Sequence, residues 1–441
     1  MIGAFYGRKI GKIFYSLGAL GESLFFAIVA TYLTYFYIEI ARVDPVLVGL
    51  GYTLTYGIWN SINDIIAGYI SDKTKTRWGR RIFYILFFTP LLMALFVLIW
   101  TPPISQSSLS AYSIFLYFLL IVFFFEFVYT FVDLSWNSLF PEMYEEIQER
   151  SEIAVYRQVF AVFGVIVTFV LAPQLISSLT SSLGIGAGWA FFGFTISVIG
   201  GGAFLLSLLG SREKYTGVKG NVIPIKDYFV ITFTNKAFLS AAFLIMTTSW
   251  MWSLVEALAP FIVKYFLGGE VADITIIGTP MILFPIFSYF LWRKLSLRFG
   301  YKVILGATTV MISFVLVALT WTTTILQAVI LMSLFGFING GVQLTRELLI
   351  PDVVDDDARR TGVRREGIYY GARTFIDRFA LALTGISTAF IFNFSGYISG
   401  HDTQPAHVVQ LMRLSTTVVF VIALMLFLIA FKYYPFGKKK Q

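Results

Sequence analysis

The 441-residue chain contains no cysteine, which excludes disulfides, thiolate nucleophiles and thiolate metal sites. Histidine is almost missing too. The only two, His401 and His407, fall in one polar loop and read as solvated side chains rather than metal ligands. Charge is scarce, at 13% Asp, Glu, Lys and Arg against 57% hydrophobic residues. With a mean hydropathy of +0.78, no soluble domain of this length would carry such a composition on its surface. No G-x-x-x-x-G-K-[ST] loop occurs, which argues against ATP-driven chemistry. The opening MIGAFYGRKIGK leads into a long apolar run without a small-residue cleavage site, so no cleavable signal peptide is expected.

What the chain has instead is apolar runs of about 20 residues, the length an α-helix needs to cross the ~30 Å hydrocarbon core of a bilayer. Twelve are read, near 13–38, 46–71, 82–101, 110–140, 153–180, 187–210, 236–266, 272–297, 302–322, 324–350, 367–399 and 408–433. Their connections alternate in charge. One set carries Arg8, Lys9 and Lys12; Lys73, Lys75, Arg77, Arg80 and Arg81; Arg212, Lys214 and Lys219; Arg293, Lys294, Arg298 and Lys302; Arg359, Arg360, Arg364 and Arg365; and Lys438 to Lys440. The other set, TPPISQSSLSAY and SSLTSSLGIGAG among it, is almost free of Lys and Arg, with Arg42 the main exception. Positive residues mark the cytoplasmic side, so both termini are expected in the cytoplasm of a multi-pass cell-membrane protein. The net charge of +8 is then a topology signal, and the lipid bilayer rather than nucleic acid is the expected partner.

The fold class that follows is an all-α polytopic membrane protein, twelve transmembrane helices in two six-helix bundles. Arg77-Trp78-Gly79-Arg80-Arg81 follows the second run, and Arg298-Phe299-Gly300-Tyr301-Lys302 follows the eighth, half the chain later. The polar stretch SREKYTGVKGNVIPIK reads as a cytoplasmic linker over 211–226, between an N-terminal bundle over 1–210 and a C-terminal bundle over 227–441. Duplicated halves that rock about a central site are a recurring transporter plan.

Polar residues inside apolar runs carry the functional signal, because an acid at mid-bilayer costs at least about 2.5 kcal/mol. Asn60, Asn63 and Asp64 stand at i, i+3 and i+4, on one helical face. Asp64 lies eight residues before Asp72, hence ~12 Å inside the end of its helix. Asp133, eight residues before Pro141, lies at the same depth, with Thr130 and Asn137 on its face. Two carboxylates with amide and hydroxyl oxygens suit a small hard cation or a proton. Glu22 sits roughly 15 Å past Lys12. Glu126 is two turns before Asp133, and Glu256 lies mid-span with Lys264 two turns on. Arg157 and Arg378 are the cations expected to balance Asp64 or Asp133, and Arg373 is read either as doing so or as reaching the cytoplasmic interface. Tyr15, Trp59, Tyr129 and Trp136 neighbour these groups, and each could stack on a sugar face or simply pack.

At these residues the chain resembles the glycoside-pentoside-hexuronide:cation symporters of the major facilitator superfamily, the melibiose permease-like transporters. The likeness spans KIFYSLGALGES, IWNSINDIIAGYISDKTKTRWGRR, YTFVDLSWNSLFPEM, ERSEIAVYRQVFAVFG and DVVDDDARRTGVRREGIYYGARTFIDRFALALTG. It implies cation-coupled uptake by alternating access. Cation binding is implied for Asp64, Asn63 and Thr130, with Asn60 standing where the family has an acid. Asp133 matches a sugar-holding acid, Ser23 replaces a first-span acid beside Glu22, Arg157 matches a fifth-span arginine, and Arg378 takes the place of a lysine. Asn137 stands at the position of a sugar-packing tryptophan, so galactoside specificity does not carry over.

The resulting expectation is a secondary transporter, not an enzyme and without a cofactor, moving a small polar solute such as a sugar with H⁺ or Na⁺. Cation binding is assigned to Asp64, Asn60, Asn63, Asp133 and Thr130, with Asp64 and Asp133 as metal ligands only if Na⁺ is the ion. Solute binding is assigned to Glu22, Ser23, Asp133, Trp136, Asn137, Arg157 and Arg378. A monomer is expected. A lipid or lysolipid carrier of the same superfamily and a non-transporting receptor are the alternatives.

Overall fold

The structure is a computed structural model and describes residues 2–103, 111–144, 146–213, 233–362 and 366–436. The expected linker lies outside the described residues from 214 on, as do Lys219, Arg364, Arg365 and Lys438 to Lys440. The chain forms two compact units, Met1–Val218 and Lys219–Gln441.

The first unit holds α1 (Lys9–Ile40), α2 (the continuous run Pro45–Tyr52, Thr53–Trp59, Asn60–Lys73), α3 (Ile82–Ile99), α4 (Ala111–Met143), α5 (Glu152–Leu183) and α6 (Ile185–Ser207). The second holds α7 (Lys236–Phe266), α8 (Val271–Phe299), α9 (Tyr301–Thr320), α10 (Ile325–Thr361), α11 (Glu366–Ser395) and α12 (Ala406–Tyr433). All twelve expected runs are helical. Eleven helices among the described residues are long and apolar enough to cross a membrane. The exception is α2, because Asn60, Ser61, Asn63 and Asp64, the residues that suggest a site, dilute its apolarity.

Packing within the units follows one plan twice. In the first, α1 packs on α5 and α6, α3 on α4 and α6, and α2 on α4; in the second, α7 packs on α11 and α12, α9 on α10 and α12, and α8 on α10. One boundary departs from the sequence reading. The tenth apolar run ends near 350, yet α10 continues to Thr361, because Leu349, Ile350, Val353, Val354 and Asp357 recur at helical spacing and bury one stripe while charged neighbours face out. Helix starts obey local chemistry. Asp44 accepts from Val46 N at 2.9 Å and Leu47 N at 3.2 Å before Pro45 opens α2, and Asn235 caps α7 through Ala237 N and Phe238 N.

Candidate functional site

The site residues of the first unit form two clusters on the inner faces of α1, α2, α4 and α5. The first sits where α2 crosses α4. A wide π-helical turn over Thr53–Trp59 precedes Asn60, and such turns, frequent at functional sites, reset the helical face that follows. Asn60 and Asn63 are thereby turned inward, 1% and 0% exposed. Asn60 Nδ2 donates to Glu126 Oε2 at 2.9 Å, and Thr130 Oγ1 donates to Asn60 Oδ1 at 3.2 Å. Asn63 Nδ2 donates both to Thr130 Oγ1 at 2.8 Å and to the Glu126 carbonyl at 2.9 Å. Asn60, Asn63 and Thr130 are thus brought together as expected, but the carboxylate bonded to Asn60 is Glu126, which the sequence left unassigned. Asp64 is half-buried on the same helix.

The second cluster lies one to two turns further along α4. Asn137 is its hub: Nδ2 donates to Asp133 Oδ1 at 3.0 Å and to Glu22 Oε1 at 3.5 Å, and Oδ1 accepts from the Arg157 guanidinium. One neutral amide therefore links two acids from α1 and α4 to a cation from α5. Arg157 is held flat over the Trp136 ring, 4.3 Å from its centroid, and over Phe140 at 5.0 Å. Trp136 is fully buried, its indole Nε1 donating to Tyr15 O at 3.0 Å while Tyr15 Oη donates to Trp136 O at 3.0 Å. Its place against α1 depends on Gly18, where a Cβ would lie 2.3 Å from the indole. The indole backs the arginine, and the sugar-stacking role considered for Trp136 does not follow from this geometry.

Ser23 is also turned elsewhere. Its hydroxyl donates to Ala161 O at 2.8 Å across α1 and α5, so of the neighbouring pair only Glu22 enters the cluster. Tyr129 donates to Glu22 O at 3.2 Å, and Trp59 stacks on Phe123 with centroids 3.9 Å apart. The second unit has its own polar set: Arg373 grips Glu347 with bonds of 2.9 and 3.3 Å, and Arg346 lies 4.0 Å from Asp377, next to Arg378. Arg373 is accordingly the ion-pair partner of Glu347. Glu256 on α7 is 4% exposed and has one carboxylate oxygen without a partner among the described residues, while Lys264 reaches Asp402 at 3.8 Å.

A family model described as "MFS/sugar transport protein" matches residues 14–438. The chain belongs to this family. It is 22% identical to the isoprimeverose transporter of Lactiplantibacillus pentosus over 96% of this chain and 88% of that protein. It is 23% identical to the glucuronide carrier protein homolog of Escherichia coli, with 97% and 92% covered. It is 24% identical to the sodium-dependent lysophosphatidylcholine symporter 1 of Mus musculus, with 98% and 86% covered. Among solved structures, the nucleoside transporter NupG superposes with a TM-score of 0.70 at 12% identity, over 98% of this chain and 100% of that one. A bacterial homolog of the lysosomal transporter Spinster superposes at 0.65 and 15% identity, over 96% and 94%. The protein is therefore a multi-span secondary transporter with the major facilitator fold, not an enzyme, and its substrate is a small molecule.

Proposed function

We propose that this transporter couples the entry of a small polar, sugar-like solute to a cation at the cell membrane. The observation that carries the reading is the Glu22–Asn137–Asp133 linkage with Arg157 bonded to the same amide. Two carboxylates can accept from vicinal hydroxyls while an arginine donates to ring or hydroxyl oxygens, and a polyhydroxylated solute offers both kinds of partner. Asp133 and Arg157 are the direct solute contacts in this reading, and Asn137 sets their spacing. The Asn60–Asn63–Thr130 cluster, about one turn away on α4, is the coupling element, with Asp64 on its helix. Arg378 is assigned to the solute through the family resemblance alone.

The likeness to the mouse lysophosphatidylcholine symporter supports a second reading, a lysolipid carrier, and the test separates the two. Purified protein in proteoliposomes is screened with radiolabelled sugars, glucuronides and lysophosphatidylcholine under imposed H⁺ or Na⁺ gradients. Accumulation of a sugar or glucuronide, at least tenfold weaker in Asp133→Asn and Arg157→Gln variants that still insert, is the expected result. Wild-type affinity in either variant removes that residue from the site, and selective lysolipid uptake replaces the sugar reading.

A further inference from the structure

We propose that Glu126 is the proton-binding carboxylate of this transporter, supplied from α4 at the place where Asn60 provides an amide instead of an acid. The inference rests on the symport reading above and names the group that would carry its cation.

The geometry points to a proton rather than a metal ion. Glu126 is 3% exposed and lies across the helix contact from Asn60, at 2.9 Å. Both amide NH₂ groups are turned inward, that of Asn60 toward the carboxylate and that of Asn63 toward Thr130 Oγ1 and Glu126 O. A sodium ion needs oxygens on every side, and here it would meet amide hydrogens. The cavity beside Glu126, walled by Tyr52, Tyr56 and Tyr129 with apolar residues of α1, holds only about 10 Å³. That is room for one water at most, so no hydrated metal ion fits beside the carboxylate.

A proton needs only a single acceptor and a partner for the new O–H. Tyr56 Oη is buried on the cavity wall within electrostatic reach of Glu126, and the buried Asn63 Oδ1 has no hydrogen-bond partner among the described residues. A hydroxyl such as Tyr56 can donate to the charged carboxylate and accept from the protonated one, so either state of Glu126 can be satisfied. The carboxylate takes up one H⁺ to become a carboxylic acid and later releases it. The titratable groups around it are Tyr52 and Tyr56 of α2 and Tyr129 of its own helix. The α1 wall contributes Phe25, Phe26, Val29 and Ala30, with Glu22 a turn away; Asp64 and Asp133 lie further along α2 and α4.

Infrared difference spectroscopy of the full-length protein in liposomes, titrated with pH alone, tests this without knowing the solute. The wild type is expected to show a protonated-carboxyl band that Glu126→Gln lacks, and Asn60→Asp/Glu126→Gln, which moves the acid across the contact, is expected to restore it. A purely structural Glu126 would not give that rescue. Should Glu126→Gln fail to insert, Glu126→Asp keeps the acid, and a shifted band midpoint replaces loss as the expected result. An unchanged spectrum in the Gln or Asp variant overturns the proposal, as does Na⁺ at fixed pH abolishing the band in the wild type. If the band behaves as expected but neither a proton nor a Na⁺ gradient drives uptake in the solute screen, the symport reading fails while the assignment of Glu126 as proton-binding stands.

Discussion

The loop between α2 and α3 and the loop between α8 and α9 have the same backbone device and opposite chemistry. Gly79 and Gly300 both adopt left-handed φ, 105° and 90°, a conformation that costs a residue with a Cβ about 1 to 2 kcal/mol. In both units the residues after the glycine reach an acid, Glu142 in the last turn of α4 or Asp352 in the part of α10 beyond its apolar run. In the first unit Arg80 Nη2 and Arg81 Nε converge on Glu142 Oε1 at 2.6 and 2.8 Å, and Glu213 accepts from the Arg80 and Arg81 amides at 3.1 and 3.0 Å. In the second, Tyr301 donates to Asp352 and shares a 3.0 Å hydroxyl bond with Tyr434, while Lys302 donates to the Tyr434 carbonyl. One latch is made of ion pairs and the other of phenols. The repeat therefore conserves where the loop is fastened, and leaves open what fastens it.

The largest effect that would sharpen this contrast is at Glu142. Its side chain is 13% exposed and serves two guanidiniums, so Glu142→Ala should cost about 3 kcal/mol, in the range for breaking a buried ion pair. Asp352→Asn keeps a hydrogen-bonding oxygen for Tyr301 and should cost about 1 kcal/mol. Thermal unfolding of the two variants in detergent decides it: equal losses would mean that the latches are energetically alike. Gly79→Ala comes next, at about 2 kcal/mol, because strain at φ 105° adds to a Cβ placed 2.2 Å from Glu213 Oε2. Gly300→Ala, at φ 90°, should cost about 1 kcal/mol from backbone strain, and a larger loss there than at Gly79 would refute the ordering.

This contrast also marks how far the sequence could be read. The two glycine loops were legible as an echo because their spacing and residue types repeat. Their fastenings were not, although Pro141-Glu142 and Pro351-Asp352 are a second echo, after the fourth and the tenth apolar run. Contacts between helices depend on rotation about each axis, which an apolar run does not record. The same limit applies at the site. Asn60, Asn63 and Thr130 were legible because i, i+3 and i+4 spacing fixes a shared face. Glu126 was not, because the turn over Thr53–Trp59 sets which α4 residue faces Asn60. The partners of Ser23 and Trp136 were not legible for a related reason: neighbouring positions in the sequence point to different helices, Ser23 to Ala161 and Trp136 to Tyr15.

The smallest effect is at Tyr434, and it tests whether the second latch is a neutral one. Burial raises the Tyr434 phenol above its ordinary value, the bond from Tyr301 pulling it back and the charge of Asp352 pushing the same way as burial. Its hydroxyl also donates to Leu349 O at 3.2 Å. A raised folded-state value means that the folded form holds its proton where the unfolded form has begun to lose it. The contribution of this hydroxyl to stability is then complete below the ordinary phenol range, about pH 10, and declines as pH rises beyond it. Tyr434→Phe should cost about 1 kcal/mol near neutral pH, and the gap from wild type should narrow above about pH 10. A gap that instead widens with alkaline pH would mean that the phenol is charged in the folded protein, and that the second latch is ionic like the first.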